Sequence, residues 1–157
     1  MPREDVKRTI KESLNNIWES YWNDQINYDG KGKHLKLFRD SIGYWSWASM
    51  ENRLHERVMA RLRLGHVGLQ EHLHRFNMTE EDACACQEEV ESVPHFLLGC
   101  RQYIEQRCEL LKGLRRINVK PTLINLLGGG PYKQDKQRQI LEVVVSYIRS
   151  TKNLKLL

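Results

Sequence analysis

Apolar side chains recur at intervals of three and four along the start of the chain. They comprise Val6, Ile10, Leu14, Ile17, Trp18, Tyr21 and Trp22. These spacings place them on one helical face and predict an amphipathic helix from about Arg3 to Asn27, ended by a turn over residues 28–33. Two apolar stretches follow at 35–38 and 42–47. Both are too short to predict a helix, and we interpret them as segments that pack on the core.

A stronger helical pattern begins near residue 50. We expect Ser49 to cap a helix from about Met50 to Leu64, with Leu54, Val58 and Leu62 facing inward. Gly65 is typical of a helix end, and a second helix is expected from about Val67 to Phe76.

The second half of the chain alternates helix signals with breaks. The hydroxyl and acids of 79–82 predict a helix start, which Cys84 and Cys86 would interrupt early. Further helices are expected over 92–111, over 123–127 with Thr122 as its cap, and over about 133–152. Nothing in the pattern favours a strand. We therefore predict an all-α fold, a bundle of about five to seven helices with a small Cys/His lobe.

Length and composition indicate one soluble globular domain. The chain has 157 residues, of which 40% are hydrophobic and 29% charged. We divide it into an N-terminal helix with a Trp-rich connector (1–48), an Arg-rich helical pair (49–78), a metal lobe with its following helix (79–108) and basic C-terminal helices (109–157). With no secretory signal or membrane span recognisable, we expect an intracellular protein, nuclear or cytoplasmic.

The net charge of +5 is unevenly distributed. Residues 79–100 contain six acidic and no Lys or Arg residues, whereas residues 101–157 contain twelve Lys or Arg and four acidic residues. A basic C-terminal third points to a polyanionic partner. The alternative is an ordinary solvated helix surface.

Three of the four cysteines cluster with a histidine. In a reducing compartment, clustered cysteines indicate metal ligands before disulfides. The pairs Cys84/Cys86 and His95/Cys100 could supply the four ligands of one tetrahedral Zn²⁺. Because five steps rotate a helix by about 500°, His95 and Cys100 can meet only if the turn is loosened near Gly99. Cys108 lies too far along the chain to share the ion, and we interpret it as a small core residue.

Such a site would be structural. All four ligands would come from the protein, so no position remains for a catalytic water. Six flanking carboxylates would repel a phosphate backbone from this lobe. The alternative to zinc is a set of buried free thiols beside a core histidine.

The ordered motifs resemble the C-terminal region of non-LTR retrotransposon reverse transcriptases of the jockey and I type. They are Arg61-Leu62-Arg63-Leu64-Gly65-His66, His72-Leu73-His74-Arg75-Phe76, Cys84-x-Cys86, Val93-Pro94-His95-Phe96-Leu97-Leu98-x-Cys100-x-x-Tyr103 and Thr122-Leu123-Ile124-Asn125-Leu126-Leu127-Gly128. The resemblance implies a zinc-knuckle-like site on Cys84, Cys86, His95 and Cys100. It also implies association with element RNA or target DNA.

The sequence departs from that family at three positions. The family's glycine after the second cysteine is Gln87 here, its glutamate before the histidine is Pro94, and its proline after the last cysteine is Arg101. The paired aspartates of the polymerase and the acidic set of a nuclease are absent. The resemblance therefore implies a detached or domesticated tail, nucleic-acid-associated but not itself an enzyme.

Candidate nucleic-acid contacts lie in two basic groups. The first comprises Arg53, Arg57, Arg61 and Arg63, and the second comprises Lys112, Arg115, Arg116, Lys133, Lys136 and Arg138. Each group could equally be a solvated helix edge with local ion pairs.

Other residues allow weaker hypotheses. The four tryptophans could stack on single-stranded bases, although such residues are more often core. His66, His72 and His74 could form a second metal or catalytic group, although helical histidines are usually structural or on the surface. A different class of function also stays open: a helical protein-interaction module that docks a partner, or self-associates, through the first helix. An unused retroelement fragment is a third.

Overall fold

A computed structural model describes residues 3–28, 33–36 and 52–153. Within these ranges the chain forms seven α-helices and no strand, which confirms the all-α prediction. They are α1 (Arg3–Tyr28), α2 (Lys33–Lys36), α3 (Arg53–Leu64), α4 (Gln70–Arg75), α5 (Ile104–Arg116), α6 (Leu123–Leu127) and α7 (Gln134–Ser150). The predicted short apolar stretch at 42–47, Ser49 and the end of the chain after residue 153 lie outside the described residues.

The core is built around α7. Its buried face presents Ile140, Leu141, Val144 and Ile148 to the other helices, chiefly to α5 and α6. The core also includes Met59 and Leu62 from α3. Apolar burial of this kind is the main favourable term in folding.

Local caps define the ends of α3 and α6. Asn52, rather than the predicted Ser49, caps α3: its side-chain oxygen accepts hydrogen bonds from the N–H groups of Leu54 and His55 at 2.9 and 3.4 Å. This is why α3 begins at Arg53 and not at Met50. Gly65 ends it in the left-handed conformation (φ 69°). The prediction for α6 is confirmed, with Thr122 as its cap and Gly128 as its end.

Two helix predictions around the cysteines were wrong. Residues 79–82 form no helix, because the chain turns into a hairpin that an isolated antiparallel bridge between Ala83 and Val90 closes. The helix predicted over 92–111 is broken: His95–Gly99 forms a π-turn, Arg101–Tyr103 a 3-10 turn, and a regular helix begins only at Ile104.

Two other predictions need correction. Helix α4 is shorter than predicted, since it begins at Gln70 rather than Val67. Cys108 is exposed on α5 and is not a core residue. It lies on the side of α5 that also carries Glu105, Glu109 and Lys112, opposite the buried Leu110 and Leu114.

Candidate metal centre

The first two cysteines lie on the hairpin. The N–H of Cys84 donates to the carbonyl of Glu89 (2.9 Å), and the N–H of Gln87 donates to the carbonyl of Cys84 (2.8 Å). Gln87 adopts a left-handed conformation with φ 62°. Glycine adopts this conformation without steric cost, whereas a residue with a Cβ atom adopts it less readily. Gln87 nonetheless makes the turn, so Cys84 and Cys86 face the same side.

The second pair lies on the π-turn. The N–H of Cys100 donates to the carbonyl of His95 at 2.7 Å, an i to i+5 hydrogen bond that adds one residue to the helical turn. The extra residue brings the side chains of His95 and Cys100, five positions apart, onto one side, which is the loosened turn that their spacing predicted. A Cβ atom on Gly99 would lie 3.3 Å from Nδ1 of His95, so a glycine leaves room for the imidazole.

Neighbouring side chains hold this turn. The hydroxyl of Ser92 accepts a hydrogen bond from the N–H of His95 (3.2 Å). The guanidinium of Arg107, from α5, donates to the carbonyls of Gly99 and Cys100. Arg107 is buried, and these bonds fix the turn to the bundle.

Four ligand atoms converge between the hairpin and the π-turn. The Sγ atoms of Cys84, Cys86 and Cys100 and a ring nitrogen of His95 all lie within 4.8 Å of one another. Sγ of Cys84 lies 3.6 Å from Sγ of Cys100, and Sγ of Cys86 lies 3.2 Å from Nε2 of His95. A tetrahedral zinc site has sulfur–sulfur and sulfur–nitrogen separations of about 3.8 and 3.6 Å. The cluster therefore has the composition and size needed to hold one metal ion.

Glu89 orients the histidine. Its Oε2 lies 3.1 Å from Nδ1 of His95. Because an ionised carboxylate can only accept, Nδ1 carries the proton and Nε2 directs its lone pair toward the thiols. Such carboxylate–histidine pairs are typical of metal ligands. The sequence did not single out Glu89, which was one of six acids, and no signal besides its position on the loop between the pairs marks it.

Burial and hydrogen bonding shift the pKa values of two of the thiols in opposite directions. Cys84 and Cys100 are buried, whereas Cys86 is half-buried. Burial raises the pKa of Cys84 to about 12, while the backbone N–H of Glu88 and neighbouring thiols lower the pKa of Cys86 to about 7. A bound divalent cation favours the thiolate form of every cysteine it contacts.

The predicted arginine group on α3 is only partly at the surface. Arg53, Arg57 and Arg61 share the solvent-facing side of the helix. Arg63 does not: it is buried, and its Nε donates to the carbonyl of Leu127 at 2.9 Å. Two steps rotate a helix by about 200°, so residues 61 and 63 face opposite ways. Assigning Arg63 to a phosphate-binding stripe was therefore wrong.

The second basic group is divided. Lys112, Arg115 and Arg116 lie exposed on α5, where Nζ of Lys112 contacts Glu109 at 2.6 Å. On α7, Lys136 and Arg138 are two residues apart and so project from opposite flanks. The groove of about 550 Å³ between α5 and α7 is lined by Glu105 and Glu109 as well as Arg116. These cations therefore do not form one continuous basic surface.

The remaining candidates are the tryptophans and the histidines. Trp18 is exposed and Trp22 half-buried on α1, while Trp45 and Trp47 lie outside the described residues. The rings of His66 and His72 lie 5.2 Å apart. Among the residues described, the Cys84/Cys86/His95/Cys100 group is the only cluster of three or more metal-ligating side chains.

No helix in the described ranges combines the length and apolar character needed to cross a membrane. Comparisons with protein-family models, curated proteins and solved structures find no match.

Proposed function

We propose that the protein is a zinc-stabilised helical module that associates with nucleic acid and is not an enzyme. The observation that carries the zinc assignment is the convergence of three thiols and one imidazole within 4.8 Å. Thiolate and imidazole together suit Zn²⁺ in tetrahedral geometry, whereas Mg²⁺ and Ca²⁺ prefer oxygen ligands.

The ion would act as a structural cross-link. Hairpin residues 82–91 form no helix, and the π-turn carries Phe96 and Leu97 into the core. Tyr147 of α7 donates its hydroxyl proton to the carbonyl of Phe96 at 2.6 Å. A metal bound by both pairs would therefore fasten the hairpin to a turn that is already part of the core. Four protein ligands leave no position for a reacting water.

Metal analysis tests this proposal. The purified protein is expected to contain one equivalent of zinc, and alanine substitution of Cys84, Cys86, His95 or Cys100 should abolish or strongly reduce it. Cys108→Ala is the matched control, since Cys108 is exposed and outside the cluster. Full zinc content in the four ligand variants would refute the assignment.

Nucleic-acid association is supported by charge and by resemblance. Residues 79–100 contain six acidic residues and no Lys or Arg, while the remainder of the chain has a basic excess and α3 presents exposed arginines. The ordered motifs resemble the tail of a non-LTR retrotransposon reverse transcriptase, which would act on element RNA or target DNA. We infer a surface away from the metal, on the arginine side of the bundle.

The corresponding experiment is a binding assay at several salt concentrations. Zinc-loaded protein should bind RNA or DNA with an affinity that falls steeply as salt increases, because phosphate contacts release counterions. Failure to retard any nucleic acid at low salt would reject this part of the proposal and leave the zinc assignment intact.

The apolar face of α1 favours a second candidate, a protein-interaction module. Ile10, Leu14, Ile17 and Trp18 are each more than half exposed. An amphipathic helix with such a face is typical of a segment that packs on a partner or on a second copy. Size-exclusion chromatography with light scattering separates the candidates: an oligomer that persists at moderate salt supports interaction through α1, and a monomer argues against self-association.

A further inference from the structure

The surface at the end of α4 carries a row of aromatic rings. The rings of His66 and His72 lie 5.2 Å apart with their planes inclined by 33°, and those of His72 and Phe76 lie 4.8 Å apart at 57°. His66 is exposed, His72 is half-buried, and Phe76 has 56% of its surface exposed. A phenylalanine is among the residues most often buried, so its exposure within an aromatic row indicates a contact surface.

A cation accompanies the rings. The guanidinium carbon of Arg75 lies 5.3 Å from the centre of the Phe76 ring, and its Nη2 lies 2.9 Å from Nδ1 of His72. Because a guanidinium can only donate, Nδ1 of His72 accepts and this imidazole is neutral. Burial, together with Arg75 and His66, lowers the pKa of His72 in agreement. The row therefore places the neutral imidazole of His72 and the phenyl ring of Phe76 beside the positive charge of Arg75.

The row begins immediately after the C-terminal end of α3. Gly65 turns the chain at the end of α3, and the N–H of His66 donates to the carbonyl of Arg61 at 3.0 Å. The first ring thus follows directly on the last turn of the helix that carries Arg57 and Arg61 at its surface. Glu71 lies about 100° around α4 from His72 and one turn before Arg75, so its carboxylate borders the ring row on the side of that arginine.

We propose that His66, His72 and Phe76, with Arg75 and the exposed arginines of α3, form a binding face for single-stranded nucleic acid. This inference rests on the proposed nucleic-acid association and specifies its surface and ligand. Exposed rings stack on unpaired bases, whose faces a duplex keeps covered, while the arginines contact the phosphates. Neither the divided cations of α5 and α7 nor the acidic metal lobe offers this combination.

The test measures the affinity of the full-length, zinc-loaded protein for fluorescein-labelled oligo(dT) and oligo(U) and for a duplex of equal length. Both single strands should bind more tightly than the duplex. Phe76→Ala should weaken single-strand binding roughly 5- to 100-fold, because stacking contributes to that extent for each base. Phe76→Trp should retain binding. The matched control is Ile124→Ala, which removes an exposed apolar side chain on α6.

Salt dependence separates the two kinds of contact. Arg75→Gln should lower the slope of log affinity against log salt by about 0.7, the value for one lost phosphate contact on a single strand. Phe76→Ala should leave the slope unchanged. Circular dichroism and zinc content verify that each variant folds.

Three results would overturn the inference. If the wild-type protein binds nucleic acid but prefers the duplex, or if Phe76→Ala binds single strands as tightly as the wild type, the ring face is not the site and nucleic-acid association stands. If the wild type binds none of the three probes at low salt, the ring face and the association are rejected together.

Discussion

Helices α1 and α7 both carry apolar side chains at intervals of three and four, but these side chains have opposite environments. In α7 the apolar residues are buried against α5 and α6, and Ile148 has no exposed surface. In α1 the equivalent residues face solvent, and Ile17 is 65% exposed. Ion pairs between Lys7 and Glu4 and between Arg8 and Asp5 support α1 locally. Apolar periodicity therefore predicts a helix, but whether its apolar face is covered depends on tertiary packing.

The metal lobe differs from both helices. Like α7 it contributes buried side chains, yet its hairpin has almost no regular secondary structure of its own. Its buried atoms include thiols and an imidazole that only a metal ion or protons can satisfy. We therefore expect loss of the metal to destabilise the protein most, truncation of a side chain in α7 to destabilise it less, and truncation in α1 to destabilise it least.

The largest effect is expected from removing the metal. Cys100→Ser should lose zinc binding and lower the melting temperature by on the order of 10 °C or more, because a structural zinc site contributes several kcal/mol to folding. Zinc content and differential scanning calorimetry measure both effects. Cys108→Ser, on the exposed side of α5, should change neither. Equal melting temperatures for the two variants would show that the metal does not stabilise the fold.

Truncation in α7 should come next. Ile148→Ala removes methyl groups from a fully buried position and should lower the free energy of unfolding by about 2–5 kcal/mol. Urea denaturation measures this change. A loss below about 1 kcal/mol would contradict the central position of α7 in the core.

Substitution of Glu89 tests whether the carboxylate that contacts His95 contributes to metal affinity. Glu89→Gln keeps the size of the side chain but replaces the carboxylate that accepts from Nδ1 of His95. Loss of such a partner typically weakens metal binding 10- to 100-fold, which a zinc-chelator competition assay would measure. Glu88→Gln, on the same loop, is the control because Glu88 pairs with Arg101 instead. Similar affinities in the two variants would remove Glu89 from the site.

The sequence predicted most helices because they depend on local signals. The cap Thr122 and the terminating Gly128 define α6 within a few residues, and the long periodic pattern defines α1. The predicted helix start at 79–82 was wrong because the hairpin pairing of Ala83 with Val90 prevailed over local capping preference. Pairing between residues seven apart is not encoded in helix propensity.

The sequence predicted the four candidate ligands but not the residues that position them. The spacing of His95 and Cys100 required a loosened turn, and the π-turn provides it. Glu89 and Arg107 could not be identified in the same way, because their roles depend on where the loop and α5 meet the turn. Arg63 shows the converse: its type suggested a surface residue, but the helical rotation from Arg61 places it inside.

The buried Tyr147 of α7 should make the free energy of unfolding depend on pH in the alkaline range. Burial raises the pKa of Tyr147, so the unfolded chain releases this proton first as the pH rises through about 10. The free energy of unfolding should then fall by up to about 1.4 kcal/mol per pH unit from this group. Tyr147→Phe should remove that part of the alkaline slope and cost about 1 kcal/mol at neutral pH, since the bond to Phe96 is lost. Urea denaturation of both proteins measures these slopes. If the free energy of unfolding falls equally with alkaline pH in the wild type and in Tyr147→Phe, this role is contradicted.

The smallest effect is expected in α1. Ile17→Ala makes the same chemical change as Ile148→Ala, but at an exposed position, so the free energy of unfolding should change by no more than about 0.5 kcal/mol. Alanine also has the higher helix propensity, which offsets any local packing that is lost. Urea denaturation of the two variants side by side measures the contrast directly. If Ile17→Ala costs as much as Ile148→Ala, the apolar face of α1 is covered in solution, and a concentration dependence of that cost would identify a second copy of the chain as the cover.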